Sequence, residues 1–160
     1  MARRLCRHGR AAALCLLLGY LWASPNTLLG VLAGLPLWCC GGQVRLVGGV
    51  IECAGRPSGG RFARLLAACG FGAITFGHVV LAIDPSTLAR LRRHERVHVH
   101  QYERWGPLFL PAYLLSSLWQ LVCGRRAYRD NYFERQAYAI DRQDKEAMAA
   151  ADIDGADQRG

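Results

Sequence analysis

Hydrophobic and polar positions follow three different rhythms along this chain. The first is an unbroken apolar run. Residues 11–40, AAALCLLLGYLWASPNTLLGVLAGLPLWCC, hold no charge over thirty positions. A bilayer crossing needs about 20 such residues, so the run predicts an N-terminal transmembrane segment kinked at Pro25. A helical hairpin turning at Ser24-Pro25-Asn26 is the alternative. Its arms of about 13 residues would each reach about 20 Å, against a hydrocarbon core of about 30 Å. Residues 1–23 also read as a signal peptide, with a basic start, an apolar stretch and small residues near Ala23. Leu21 and Trp22 are large for a cleavage site and the apolar character continues beyond them, which favours membrane insertion.

The second rhythm is that of short strands. Val44–Val47, Gly48-Gly49 and Val50–Cys53 read as a hairpin with a two-glycine turn. AGRPSGG (54–60) is a loop, and RFARLLAAC (61–69) suits a short amphipathic helix. AITFGHVVLAI (73–83) is rich in branched apolar residues and reads as one or two strands broken at Gly77.

The third rhythm is helical. Asp84 can cap, Pro85 suits the first helical position, and Leu88 and Leu91 begin an apolar face. This helix is expected to run to about Trp105 and stop at Gly106-Pro107. Residues 107–123 form a second uncharged run of seventeen, interrupted by Pro111, Ser116, Ser117 and Gln120. It is expected to be a membrane-contacting or buried helix. A last helix follows from Asn131 to about Ala149, with Asp130 or Asn131 as cap, and residues 150–160 read as a disordered tail. The division is therefore a basic segment and membrane anchor over 1–42, a domain over 43–149, and the tail. The fold class is α+β, with a few-stranded antiparallel sheet.

Composition narrows the choice. At 160 residues the chain has room for one domain and an appendage. Its 52% hydrophobic content excludes a disordered protein, and no period marks a fibrous one. Lys+Arg number 20 against 12 Asp+Glu, for a net charge of +8. Lys145 is the only lysine. Arg3, Arg4, Arg7 and Arg10 precede the apolar run without an acid among them, which points to membrane lipid rather than nucleic acid as the partner. No aromatic-interleaved basic stripe or nucleic-acid motif is present. The seven cysteines are odd in number and lack a Cys-x-x-Cys pair, so a disulfide framework is not expected. Cys39-Cys40 could carry an acyl chain or bind a metal weakly.

The chemistry concentrates at His94-Glu95-Arg96-Val97-His98. Residues four apart share a helix face, so both imidazoles can reach one Zn²⁺, with Glu95 close enough to take a proton from water without ligating. Five His and five Glu give about 0.005 chance matches to His-Glu-x-x-His per chain. On a helical wheel His98, Leu91, Tyr102 and Trp105 fall within about 80° of His94, which puts the pair on the more apolar face. Arg92, Arg93, Arg96, His100 and Glu103 gather on the other side.

Catalytic zinc takes three protein ligands. Gln101 and Arg104 stand where a longer pattern would place a glycine and then a third histidine, so the remaining ligand must come from elsewhere. Glu134, in the first turn of the last helix, is the leading candidate, ahead of Asp130 and Asp141. Asp141, seven residues on, could instead support a ligand histidine from behind. His78 could line the site or stabilise an oxyanion, although a satisfied strand histidine is the simpler reading. Tyr132 and Tyr138 are further oxyanion candidates for which packing is the simpler role.

His94-Glu95-x-x-His98 with a downstream Glu134 resembles the gluzincin branch of zinc metallopeptidases. The run HERVHVHQYERWGPLFLPAYLLSSLW…YRDNYFERQAYA is also similar to a group of small, uncharacterised bacterial membrane proteins with zincin-like motifs. The similarity covers about residues 73–142. The resemblance implies a small zincin-like domain with Zn²⁺ on His94, His98 and Glu134, and Glu95 as general base. It further implies a strand within 73–82 that pairs with an extended peptide substrate. The function this points to is a membrane-anchored zinc metallopeptidase of a bacterial inner membrane. The alternative is a non-catalytic, zincin-derived membrane protein whose metal is structural or mediates partner binding.

Overall fold

The computed structural model describes residues 2–56, 60, 64, 68 and 70–157, and the side chains of residues 2–16, 144–145 and 147–157 lie outside that description. The helix expected over 61–69 falls largely on residues outside it. The chain divides into two compact units, Met1–Leu110 and Pro111–Gly160.

The first unit is built on a four-stranded sheet: β1 (Gln43–Val47), β2 (Val50–Ala54), β3 (Ala73–Phe76) and β4 (Val79–Ala82). The hairpin β1–β2 pairs Val47 with Val50. Gly48 and Gly49 both take positive φ, 52° and 77°, which is the reason two glycines stand in this turn. β3 and β4 form a second hairpin, closed by Gly77 and His78 and pairing Phe76 with Val79. The strand order is β1-β2-β4-β3, and β2 runs parallel to β4. The sheet is therefore mixed, a correction to the antiparallel sheet expected. After β2 the chain crosses to the far edge before returning, so β4 lies inside. The apolar pattern fits this placement. All four residues of β4 are buried, whereas β3 alternates as an edge strand does.

Among the described residues, each face of the sheet is covered by one helix. The α2 helix (Pro85–Trp105) packs Leu88, Leu91 and Val99 on Val50, Ala54, Ala73, Val80 and Ala82. Asp84 caps it, accepting from the Thr87 amide, and Gly106 ends it as expected. Hydrogen bonds from the Ser86 hydroxyl and the Thr87 amide hold the Asp84 carboxyl down at about 2.

The opposite face takes α1 (Ala2–Cys39). Among its described side chains, Ala23, Asn26, Gly30, Gly34 and Leu37 are the buried positions, a stripe of mostly small residues three or four apart. Leu37 and Ala33 join Cys53, Val79 and Leu81 in the second apolar cluster. Burial there pushes the Cys53 thiol up.

Two expectations about α1 are overturned. Among the described residues, no helix is long and apolar enough to cross a membrane. The stretch expected to be a transmembrane segment instead lays one face on the sheet, fixed by polar contacts: the Asn26 amide donates to Gly106 O and the Tyr20 hydroxyl to Gly49 O. Nor is there a helical hairpin. The helix runs through Pro25, where the Ser24 hydroxyl donates to Leu21 O, the carbonyl left without its usual amide partner by the proline.

The second unit contains most of α3 (Phe109–Val122), which follows a short 3₁₀ turn at Gly106–Leu108, and α4 (Tyr132–Asp157). The α4 helix continues past the Ala149 expected from sequence. Asn131 caps it, its Oδ1 accepting from the Phe133 amide. The Asn131 Nδ2 group donates to Tyr113 O and to Ser117 Oγ, and the Tyr132 amide donates to Ser116 Oγ. One asparagine thus starts the helix and ties it to α3.

Candidate metal centre

The α2 helix carries the His-Glu-x-x-His turn on its buried side, as its apolar pattern requires. His94 and His98 are 5% and 7% exposed. Their Nε2 atoms stand 3.2 Å apart. Two nitrogens bound at about 2.0–2.1 Å to one tetrahedral ion would be about 3.3 Å apart, so the pair already has the spacing of two ligands on one cation. On the far side of its ring, His98 Nδ1 lies 2.9 Å from Gln101 Oε1. An amide oxygen can only accept, so this bond keeps the proton on Nδ1 and leaves the Nε2 lone pair for a metal.

Glu95 is 4% exposed, and its Oε2 accepts from the Thr75 hydroxyl at 2.7 Å. Thr75 belongs to the edge strand β3, so the strand next to the helix orients the expected base.

In the second unit Glu134 occupies the first turn of α4, 2% exposed, with Oε1 accepting from the Tyr113 hydroxyl at 2.8 Å. Burial, the Glu134 charge and a hydrogen bond with Tyr138 together raise the Tyr128 phenol.

One ligand atom each from His94, His98 and Glu134 all lie within 4.8 Å of one another. Two imidazoles and a carboxylate, all buried, form a group that could hold a metal ion. Buried with no cation, a carboxylate beside two rings would carry a desolvation cost that a divalent ion offsets. Nitrogen and oxygen donors of this type suit several first-row metals.

The remaining candidates lie elsewhere. His78 is buried against α1 and α2: its ring stacks on Tyr20 at 3.9 Å and its Nε2 meets Glu103 Oε1 at 3.1 Å. Glu103 also meets His100, which is exposed. Burial works to raise the Glu103 carboxyl, but these two histidines outweigh it and hold the carboxyl down. Tyr138 and Asp141 line an open cleft with Arg129, Arg135, Ala139 and Arg142. Asp130 is bound by Arg126. Cys39 and Cys40 are exposed free thiols.

Sequence reading missed three supports of this centre. Gln101 was legible only as a helix-face neighbour of His98, although its three-residue spacing is the signal for such a contact. Thr75 and Tyr113 carry no local signal, because their partners are 20 and 21 residues away. The side of α2 expected to be solvated is also more engaged than its charges suggest. Arg92 donates to both oxygens of Glu52 at 2.9 Å, and Arg96 adds a third contact at 3.3 Å. Glu52 sits on the sheet face and is 1% exposed. Set beside protein-family models, curated proteins and solved structures, this chain matches none.

Proposed function

We propose that this protein is a zinc-dependent peptidase. The observation that carries the reading is the convergence of His94, His98 and Glu134 within 4.8 Å, with Glu95 on the same helical turn as the two histidines. His94, His98 and Glu134 would hold the ion. When bound, it supplies a Lewis acid that makes water acidic near neutral pH and polarises a carbonyl.

The chain's own residues do the rest. Glu95 takes the proton of the attacking water and returns it to the departing amine. Thr75 fixes the carboxylate that performs both transfers. Gln101 holds the His98 tautomer, and Tyr113 orients Glu134.

A second reading is favoured by the burial of all three ligand residues, at 2–7% exposure. Structural zinc sites are closed, whereas catalytic ones keep a position open. In that reading the metal supports the fold or a partner contact and turns nothing over.

Glu95→Gln separates the two. Metal analysis of the purified variant is expected to return about one zinc per chain, as for the parent, because Glu95 is not a ligand. Hydrolysis of a mixed peptide library is expected to fall by at least about a hundredfold. Parent activity removed by a chelator, restored by zinc and unchanged by Glu95→Gln would refute the role of Glu95. A parent that binds zinc and cleaves nothing supports the structural reading. A parent that binds no divalent ion refutes both.

A further inference from the structure

The α3 helix is inside out. Its more polar side, carrying Tyr113, Ser116, Ser117 and Gln120, is the half-buried one, and Tyr113, Ser116 and Ser117 bond to the start of α4. Its other side consists of Leu114, Leu115, Leu118, Trp119, Leu121 and Val122, each 56–74% exposed. On a helical wheel these six fall within an arc of about 160°. Phe109 is the only buried residue of the helix. A water-facing helix has the opposite arrangement, because its apolar stripe turns to the core. A contiguous apolar face of this kind marks a surface with an apolar neighbour.

The charges beyond the helix identify that neighbour. Arg125, Arg126 and Arg129 follow Val122 within seven residues. Arg126 is paired with Asp130, while Arg125 and Arg129 are exposed and form no ion pair among the described residues. Arg129 also lines, with Arg135 and Arg142, an open cleft of about 660 Å³ whose one acidic lining residue is Asp141. Two copies meeting through α3 would bring like charges together. Anionic headgroups would be matched by them, and Trp119 is the residue type that settles at a membrane–water boundary.

We infer that α3 docks on an anionic lipid bilayer, its leucine face in the acyl region and its C-terminal arginines among the headgroup phosphates. The helix does not cross. Its 14 residues extend about 21 Å, short of the roughly 30 Å core, so it occupies one leaflet or lies in the interface. The inference is independent of the proposed peptidase activity.

The test is co-sedimentation of the full chain with vesicles of equimolar phosphatidylglycerol and phosphatidylcholine, and with vesicles of phosphatidylcholine alone. The parent is expected to partition into both and to favour the anionic vesicles. Leu118→Glu is expected to lower the partition coefficient at least about tenfold, with the far-UV circular dichroism spectrum unchanged. Arg125→Gln and Arg129→Gln, which leave the apolar face intact, are each expected to reduce the anionic preference about fivefold. These two variants carry the test if Leu118→Glu fails to fold. Equal partitioning of folded Leu118→Glu and parent would overturn the inference, as would arginine variants that keep the full anionic preference. So would a parent that ignores vesicles and forms a dimer that Leu118→Glu dissociates.

Discussion

Glu52 offers the sharpest test of how α2 is held on the sheet. Its carboxylate is 1% exposed, and it contacts Arg92 and Arg96, whose side chains are 42% and 26% exposed. The two sides of the pairing are therefore unequal. Glu52→Gln keeps the shape, removes the charge, and leaves arginines that can turn to water. Losing charge-assisted bonds costs about 1.5–3 kcal/mol each when partners are buried, and half-exposed arginines bring the total down to about 2 kcal/mol. The double variant Arg92→Met/Arg96→Met does the opposite. Methionine keeps an apolar stem over the site and leaves the carboxylate buried without a counter-charge, which costs about 3–5 kcal/mol. It also removes the bonds from Arg96 to Gly48 O and Val47 O, which pin the β1–β2 turn. Urea unfolding followed by far-UV circular dichroism measures both. The arginine pair is expected to be the more damaging loss by at least about 1 kcal/mol. If it proves no worse than Glu52→Gln, Glu52 does not depend on these arginines, and the reasoning from burial fails.

Two further outcomes follow from close contacts. Gln101→Leu frees the His98 tautomer and is expected to weaken binding of the proposed zinc ion about 10–100-fold in a chelator competition, with the unfolding midpoint of the metal-free protein little changed; undiminished affinity would show that Gln101 has no orienting role. Gly30→Ala would place a methyl group 2.7 Å from Val79 Cβ and 2.9 Å from Phe76 O, backbone that cannot move aside. It is expected to cost about 1–3 kcal/mol in thermal unfolding, and a neutral result would mean that α1 does not lie so close to the sheet.

Local signals were enough for several elements. Two glycines between branched apolar runs specify the first hairpin, Asp84-Pro85 and Gly106-Pro107 bound α2, and histidines four apart share one face wherever that helix sits. These depend on interactions within a few residues. Burial of His94 and His98 was legible for the same reason, because Leu91 and Tyr102 lie on their side of the wheel.

Contacts between distant segments were decided by the tertiary structure alone. Strands and turns were readable, but which strand of the β3–β4 hairpin would lie against β2 was not, and the parallel β2–β4 pairing follows from that choice. Uncharged residues in α1 read as a membrane segment, because an apolar run carries no mark that separates a lipid environment from the apolar face of a sheet. Only the fold shows Gly30 and Gly34 against Val79 and Leu81. Glu134 led Asp130 and Asp141 as the candidate third ligand, but only folding brought it within 4.8 Å of two imidazoles, and a carboxylate's affinity for a cation depends on which other donors stand beside it.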